Sequence, residues 1–176
     1  PEWFRYEWIW CKDQGRNFQL VKHQPLKITE SILVFYLKTA MYAPQGLVRL
    51  RKSITKNNAG KGGNLGHLGS EEKRATYLQE FANYPVNIIE CNSERGLHPT
   101  QKPVDLLSYL IRTYTNKGDT VLDFCMGSGS TLVACIEEER NGIGIEKDAG
   151  YFEIAKKRIE QEQNKPRTMR MELAPP

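Results

Sequence analysis

The sequence is poor in most of the features that would settle its class quickly. Cysteine is scarce: Cys11, Cys91, Cys125 and Cys135 are the only four, and no two stand at a CxxC spacing. With three histidines in the whole chain and none at metal-ligand spacing from a cysteine, a structural zinc site is disfavoured and no metal is expected. A disulfide framework is disfavoured as well, because the chain is not short and opens with no secretory signal. No apolar run approaches the length of a membrane span. These absences lead to the expectation of a reduced, cytosolic protein. The chain also lacks a strong charge of either sign: 25 basic against 21 acidic residues leave a net charge of +4 in 176 residues. That excess permits a nucleic-acid partner without requiring one. The P-loop pattern GxxxxGK[ST] is missing.

What is present is a globular composition, 39% hydrophobic, in a chain long enough to bury a core. Three stretches differ in character. The first runs to about Tyr42. Its segment Tyr6-Glu7-Trp8-Ile9-Trp10-Cys11 alternates, placing Tyr6, Trp8 and Trp10 on one face of a strand. The run Ser31 to Leu37 is almost continuously apolar and predicts a strand buried on both faces.

The second stretch, Ala43 to Leu97, is rich in glycine and locally basic. Between Gln45 and Arg74 stand seven basic residues (Arg49, Arg51, Lys52, Lys56, Lys61, Lys73 and Arg74) against Glu71 and Glu72. Its Lys56–Asn64 segment is expected to be a mobile loop, since Gly and Asn favour turns.

The third stretch, His98 to about Gln163, alternates strand and helix. Pro103–Tyr114 predicts an amphipathic helix with Leu107, Leu110, Ile111 and Tyr114 on one face and Pro103 in the first turn. Thr120–Phe124 predicts a buried strand, followed by a Gly-rich turn and a helix over Ser130–Arg140. Gly142–Glu146 predicts a second strand, and Asp148 caps a helix whose inner face carries Phe152, Ala155 and Ile159. That order means a parallel α/β sheet. The tail from Asn164 to Pro176 has a linker composition.

A strand, a Gly-rich turn and a helix together form a ligand cradle at the carboxyl edge of a parallel sheet. Gly127 and Gly129 remove side chains, so a ligand can approach the backbone. Glu146 lies 19 positions beyond Gly127, the separation at which an acidic residue on the next strand grips ribose hydroxyls. The pattern Gly127-Ser128-Gly129 lacks the third glycine of a GxGxxG fingerprint, which disfavours diphosphate binding and a nicotinamide enzyme. The plain alternative is that the glycines only turn the chain and Glu146 is solvated. A second motif, His98-Pro99-Thr100-Gln101-Lys102-Pro103, stands just before the amphipathic helix, where a helix N-terminus with Thr and Lys nearby suits a carboxylate. A helix cap needing no ligand explains the same residues.

Three segments in order, HPTQKP, VLDFCMGSGST and GIGIEKDAGYFEIAKKRI, resemble the beta-class DNA amino-methyltransferases, which modify adenine N6 or cytosine N4. The resemblance is strong from His98 to Ile159. The Tyr-Glu-Trp-Ile-Trp strand and the Ile32–Phe35 strand also resemble that family's elements before its variable target-recognition region, and the basic middle falls where that region belongs. The resemblance implies a Rossmann-like, S-adenosylmethionine-dependent α/β sheet with helices on both faces, incomplete here, plus a loop-rich insert. It divides the chain into sheet strands over 1–42, a target-recognition insert over 43–97, a cofactor-binding subdomain over 98–163 and a flexible tail over 164–176.

Carried over position by position, it implies that Asp123, Phe124, Gly127, Ser128, Gly129 and Thr131 form the S-adenosylmethionine loop. Glu146 would hold the ribose, with Lys147 and Asp148 flanking the adenine pocket and Thr100, Gln101 and Lys102 near the methionine end. Cys125 and Met126 would be loop and packing residues, a nucleophilic Cys125 being the alternative. Double-stranded DNA is the implied partner, met by Arg49, Arg51, Lys52, Lys56 and Lys61.

One family element is missing. These enzymes hold the flipped base with a motif of the form Asp/Asn/Ser-Pro-Pro-aromatic, and no such motif occurs here; Asn83-Tyr84-Pro85 lacks both the order and the second proline. No catalytic residue is therefore assigned, and the motif is expected upstream of Pro1. Its strand sits mid-sheet in that family, so its absence leaves strand edges unpaired. Either the sheet closes differently, or a separate polypeptide supplies the strand, or the chain is a fragment. Adenine N6 is preferred to cytosine N4. A non-catalytic subunit or remnant that binds cofactor and DNA, and a small-molecule methyltransferase, are the competing classes.

Overall fold

The computed structural model describes residues 2–16, 18–57, 76–94 and 96–166. The chain divides into two units, Pro1–Ala43 with Val86–Pro176, and Pro44–Pro85.

In the larger unit, the alternation of aromatics predicted for the first strand is realised over a longer element. β1 (Phe4–Arg16) pairs antiparallel with β2 (Lys27–Phe35), Trp8 standing opposite Ile32 and Trp10 opposite Glu30. β5 (Ile88–Glu90), which the sequence did not announce, pairs parallel with β1 on its other side. Trp8 and Trp10 are each 3% exposed. Their indole N–H groups are satisfied, Trp8 donating to the Tyr114 hydroxyl at 2.6 Å and Trp10 to the Cys91 carbonyl at 2.8 Å, as buried indoles require.

The expectation of a second strand buried on both faces fails. β2 alternates: Ile32 and Val34 are half-buried, while Leu33 and Phe35 on the other face are exposed. The covered face is the one it shares with Trp8 and Trp10. On the opposite face Leu33 is 52% and Phe35 48% exposed.

Helix α1 (Val104–Tyr114) lies between the tryptophan face of β1 and helix α2 (Ser130–Glu137). Tyr109 meets the Trp8 ring edge-on at 5.8 Å, and Val104 and Ile111 join Val133, Ala134 and Cys135 in a common core. A helix packed on two sides has no single inner face. Leu106 and Thr113, outside the predicted stripe, are among its most buried residues, while Leu107, Leu110 and Tyr114 are only half-buried. Pro103 is the N-cap of α1 rather than its first turn. Burial of the core thiol pushes Cys135 up to about 11, and all four cysteines are free.

The strand–helix–strand–helix order is as expected: β6 (Thr120–Asp123), α2, β7 (Asn141–Gly144) and α3 (Ala149–Gln163), with β6 and β7 parallel. Gly142 and Gly144 let β7 approach α2, where an added Cβ would lie 3.2 Å and 2.9 Å respectively from Leu132. The expectation that Thr120–Phe124 is buried needs correction. Val121 packs against the core, but Leu122 is 58% and Phe124 76% exposed, with Ile143 and Ile145 similarly bare. The physical reason is that β6 pairs only with β7 among the described residues, so the expected sheet is present in pieces of three and two strands. In α3, Ala155 is fully buried and Ile159 half-buried, but Phe152 is exposed, contrary to its predicted inner position. Helix α3 ends at Gln163, and only residues 164–166 of the tail are described.

In the smaller unit, β3 (Val48–Asn57) and β4 (Thr76–Ala82) pair antiparallel, with a register shift between Arg49 and Ile54. Lys56 and Asn57, expected in a loop, are the last residues of β3; residues 58–64 of that expected loop lie outside the described residues. Asn83, at φ +59°, donates from Nδ2 to the Gly46 carbonyl at 2.7 Å and closes the base of the ribbon. No helix among the described residues is long and apolar enough to cross a membrane.

Candidate functional site

The turn after β6 is held by its own residues. Asp123 accepts from the Cys125 amide at 3.0 Å through one oxygen and from the Thr131 hydroxyl at 2.6 Å through the other, tying the two ends of the loop together. Gly127 and Gly129 have φ of +52° and +77°, values that cost an L-residue strain. Space is tight at both as well: a Cβ at Gly127 would stand 3.2 Å from the His98 ring, and one at Gly129 would stand 3.0 Å from Ala155. Met126 is buried beneath the loop, its amide donating to the Ile145 carbonyl at 3.0 Å; Cys125 is exposed.

Glu146, just past the carboxyl end of β7, faces this turn. One carboxylate oxygen accepts from the Gly127 amide at 2.8 Å and the other from the Asp148 amide at 2.9 Å. These bonds hold the carboxyl below its ordinary range, the Asp148 amide contributing most. Asp148 in turn caps α3, accepting from the Tyr151 amide at 2.9 Å. Lys147 is exposed.

The HPTQKP segment meets the loop directly. His98 packs over Gly127 and lies 4.3 Å, ring to ring, from Tyr151. Thr100 turns its hydroxyl to His98 Nδ1 at 3.1 Å. Gln101 donates to Glu94 at 2.9 Å, and Lys102 donates to Glu30 at 2.8 Å. Glu30 also pairs with Lys12. Burial alone would raise the Glu30 carboxyl, but the two lysines outweigh it and hold the group below the usual range. Both ammonium groups stand over the Trp10 ring, Lys12 at 4.9 Å and Lys102 at 5.6 Å. A cleft of about 460 Å³ opens beside this segment, lined by Glu94, Leu97, His98, Pro99, Gln101 and Tyr151.

One expectation changes here. The N-terminus of α1, read as a seat for a ligand carboxylate, already holds one: Glu94 accepts from the Val104 amide at 2.8 Å. Sequence reasoning missed Glu94, Tyr151 and Arg158, and left His98 without a role. The only available signal was the position of His98 at the head of the motif.

In the smaller unit, Arg49, Arg51 and Lys52 are exposed on β3 and Lys56 stands near its end, while Lys61 lies outside the described residues. Among the described residues no cluster of His, Cys, Asp and Glu could hold a metal ion.

Comparison with known proteins adds four findings. Residues 2–157 match the family model described as DNA methylase, N6_N4_Mtase. The Type II methyltransferase M.HpaI of Haemophilus parainfluenzae is 45% identical over 86 residues, covering 46% of this chain and 27% of that enzyme. The chain thus spans about a quarter of that relative's length. Among solved structures, that of the M1.HpyAVI–SAM complex superposes with a TM-score of 0.56 at 28% identity, covering 89% of this chain and 62% of the other. The cytosine-N4-specific PvuII DNA methyltransferase superposes with a TM-score of 0.52 at 16% identity, covering 90% and 55%, and shares the fold.

Proposed function

The chain belongs to the DNA methylase family whose model spans residues 2–157, and from that premise we propose that it binds S-adenosylmethionine and serves methyl transfer to an exocyclic amino group of a DNA base. The observation that carries this reading is the Glu146 carboxylate, fixed against the Gly-rich turn by the Gly127 and Asp148 amides. Each carboxylate oxygen has two acceptor positions. The Gly127, Asp148 and Lys147 amides use part of that capacity, and the remainder is proposed to accept the ribose hydroxyls.

The residues present fit the cofactor. The turn is bare of side chains at Gly127 and Gly129, and the neighbouring cleft of about 460 Å³ lies in the size range of small-molecule sites. Asp123, Phe124, Ser128 and Thr131 complete the wall of the turn. Lys147 and Asp148 follow Glu146 in the chain, and Thr100, Gln101 and Lys102 are assigned by this reading to the methionine end. Phe124, 76% exposed at the lip, offers an aromatic surface for a purine. The bound sulfonium supplies an electrophilic methyl group without a metal. The task of this chain is then positioning: Glu146 fixes the nucleoside, and the turn excludes water from its backbone face.

In the smaller unit, the exposed Arg49, Arg51 and Lys52, with Lys56 and Lys61, are proposed to meet DNA phosphates, so binding weakens steeply with salt. The target base leaves the duplex for reaction, as enzymes acting on base atoms require. We take adenine N6 ahead of cytosine N4. Incubation with labelled S-adenosylmethionine and duplex DNA, followed by digestion to nucleosides, tests this: label in N6-methyldeoxyadenosine supports it, and label in N4-methyldeoxycytidine moves the target to cytosine.

A second reading has its own observation. No Asp/Asn/Ser-Pro-Pro-aromatic motif occurs in these 176 residues, which favours a chain that binds cofactor and DNA without completing transfer alone. Saturable cofactor binding with background transfer to DNA is the result that selects it.

A further inference from the structure

Arg158 on α3 is a side chain that the reading above does not use. Its side chain is 19% exposed, and its guanidinium reaches in two directions. Toward the Gly-rich turn, it donates to the Ser130 hydroxyl at 2.8 Å and lies 3.4–3.5 Å from the Ser128 carbonyl and hydroxyl oxygens. Toward the HPTQKP segment, it lies 3.4 Å from Glu94. Glu94 is itself a hub: one oxygen accepts from the Val104 amide, which starts α1, and the other from Gln101. Gln101 then accepts from the Leu97 amide at 3.3 Å, fixing the turn that carries His98.

The placement of Arg158 is unfavourable for α2 itself. A cation beside a helix N-terminus opposes the helix dipole. Helix α2 has no side-chain cap at its Gly129 N-cap, and a carboxylate there would have been the stabilising choice. The serines it contacts are nearly buried, Ser128 at 3% and Ser130 at 5%. Their hydrogen bonds, together with the Glu94 charge, offset the dipole penalty. The arrangement is explained by what it joins. His98 over Gly127 is one link between the two motif segments; Arg158 with Glu94 is a second, and together they fix both distance and rotation.

We infer that Arg158 and Glu94 form a positioning pair for the cofactor site, locking the Gly-rich turn through Ser128 and Ser130 to the HPTQKP segment through Gln101 and Val104 before the cofactor arrives. This rests on the proposed binding of S-adenosylmethionine. The pair touches no reacting atom; it acts through the segments it joins. Pre-set geometry lowers the ordering cost of binding, so loosening it weakens affinity more than it alters the fold.

The test uses the full chain as wild type and as Arg158→Ala, Arg158→Lys, Glu94→Gln and the Arg158→Ala/Glu94→Gln pair. Titration calorimetry with S-adenosylmethionine reads affinity, amide hydrogen exchange without cofactor reads the coupling, and thermal melting controls for folding. Arg158→Ala and Glu94→Gln are each expected to raise Kd about tenfold, the loss expected for a charged hydrogen-bonding group. The double variant should be little worse than the weaker single one, since the two residues act as a unit. Arg158→Lys should recover part of the affinity. In the unligated Arg158→Ala chain, exchange should quicken in both Gly127–Thr131 and Leu97–Lys102 and remain unchanged in β1. Faster exchange in one segment alone overturns the clamp, and so does wild-type affinity in Arg158→Ala. A wild-type chain that gives no binding heat overturns the cofactor reading and the pair's role in it, while the exchange data still decide whether the two segments are coupled.

Discussion

The turn after β6 and the β3–β4 ribbon are specified in opposite ways. In the turn the key positions are fixed by backbone geometry: positive φ at Gly127 and Gly129, tight space for a Cβ beside His98 or Ala155, and amides aimed at Asp123 and Glu146. In the ribbon Arg49, Arg51 and Lys52 are exposed, and their arrangement follows from strand pairing. A site built from geometry is brittle to single substitutions and indifferent to salt. A surface built from charge tolerates each loss but responds as a sum.

The largest departure from this contrast should come at Gly144, where a Cβ would overlap the Met126 sulfur and lie 2.9 Å from Leu132. Gly144→Ala is expected to cost about 1–3 kcal/mol, the usual range for overpacking, read as a fall in melting temperature; an unchanged melting temperature would mean that the turn is less rigid than described. Next in size is a pH effect. The Glu146 carboxyl lies below 4.5 in the folded chain, so its tethering of the turn is fully present above that ordinary value and is lost as pH falls through the lowered one. Amide exchange at Gly127 and Asp148 should therefore stay slow, after correction for the intrinsic rate, down to about pH 5. It should quicken only in more acid solution, and loss of protection near neutrality would contradict the assignment.

On the ribbon, Arg49→Ala, Arg51→Ala and Lys52→Ala should each weaken DNA binding by roughly 0.5–1 kcal/mol and each flatten the salt slope by about one. A single substitution that abolishes binding at every salt concentration would show that the ribbon, too, is specified by geometry. The smallest effect is expected at the exposed Cys125: Cys125→Ala should leave cofactor affinity and methyl transfer within about twofold of wild type, because a side chain outside the packed and hydrogen-bonded features contributes little. A large loss would revive the thiolate alternative.

The same contrast explains what could be read from the sequence. Glycines, the Asp148 cap and the spacing to Glu146 are local signals, and they survive in the structure because each reports a backbone requirement. The identity of β6, α2, β7 and α3 followed from them. The exposure of Leu122, Leu33 and Phe35 could not be read, since an apolar strand looks the same whether one face or both find partners. The short β5 had no pattern of its own and owes its existence to pairing with β1. Strands β3 and β4 lay hidden in a basic, Gly-rich composition that reads as loop. At the site, Glu94 and Arg158 escaped notice because their partners are 64 positions apart in the chain. Long-range side-chain pairing of that kind leaves no periodicity.

Glu146, held by the Gly127 and Asp148 amides, is proposed to grip the nucleoside of S-adenosylmethionine. Titration calorimetry of the wild-type chain and of Glu146→Gln measures this most directly. Saturable 1:1 binding is expected of wild type, with a Kd raised by about tenfold or more in the variant, the loss of a charged acceptor. Equal affinity in the two chains, or no saturable binding by wild type, would contradict it.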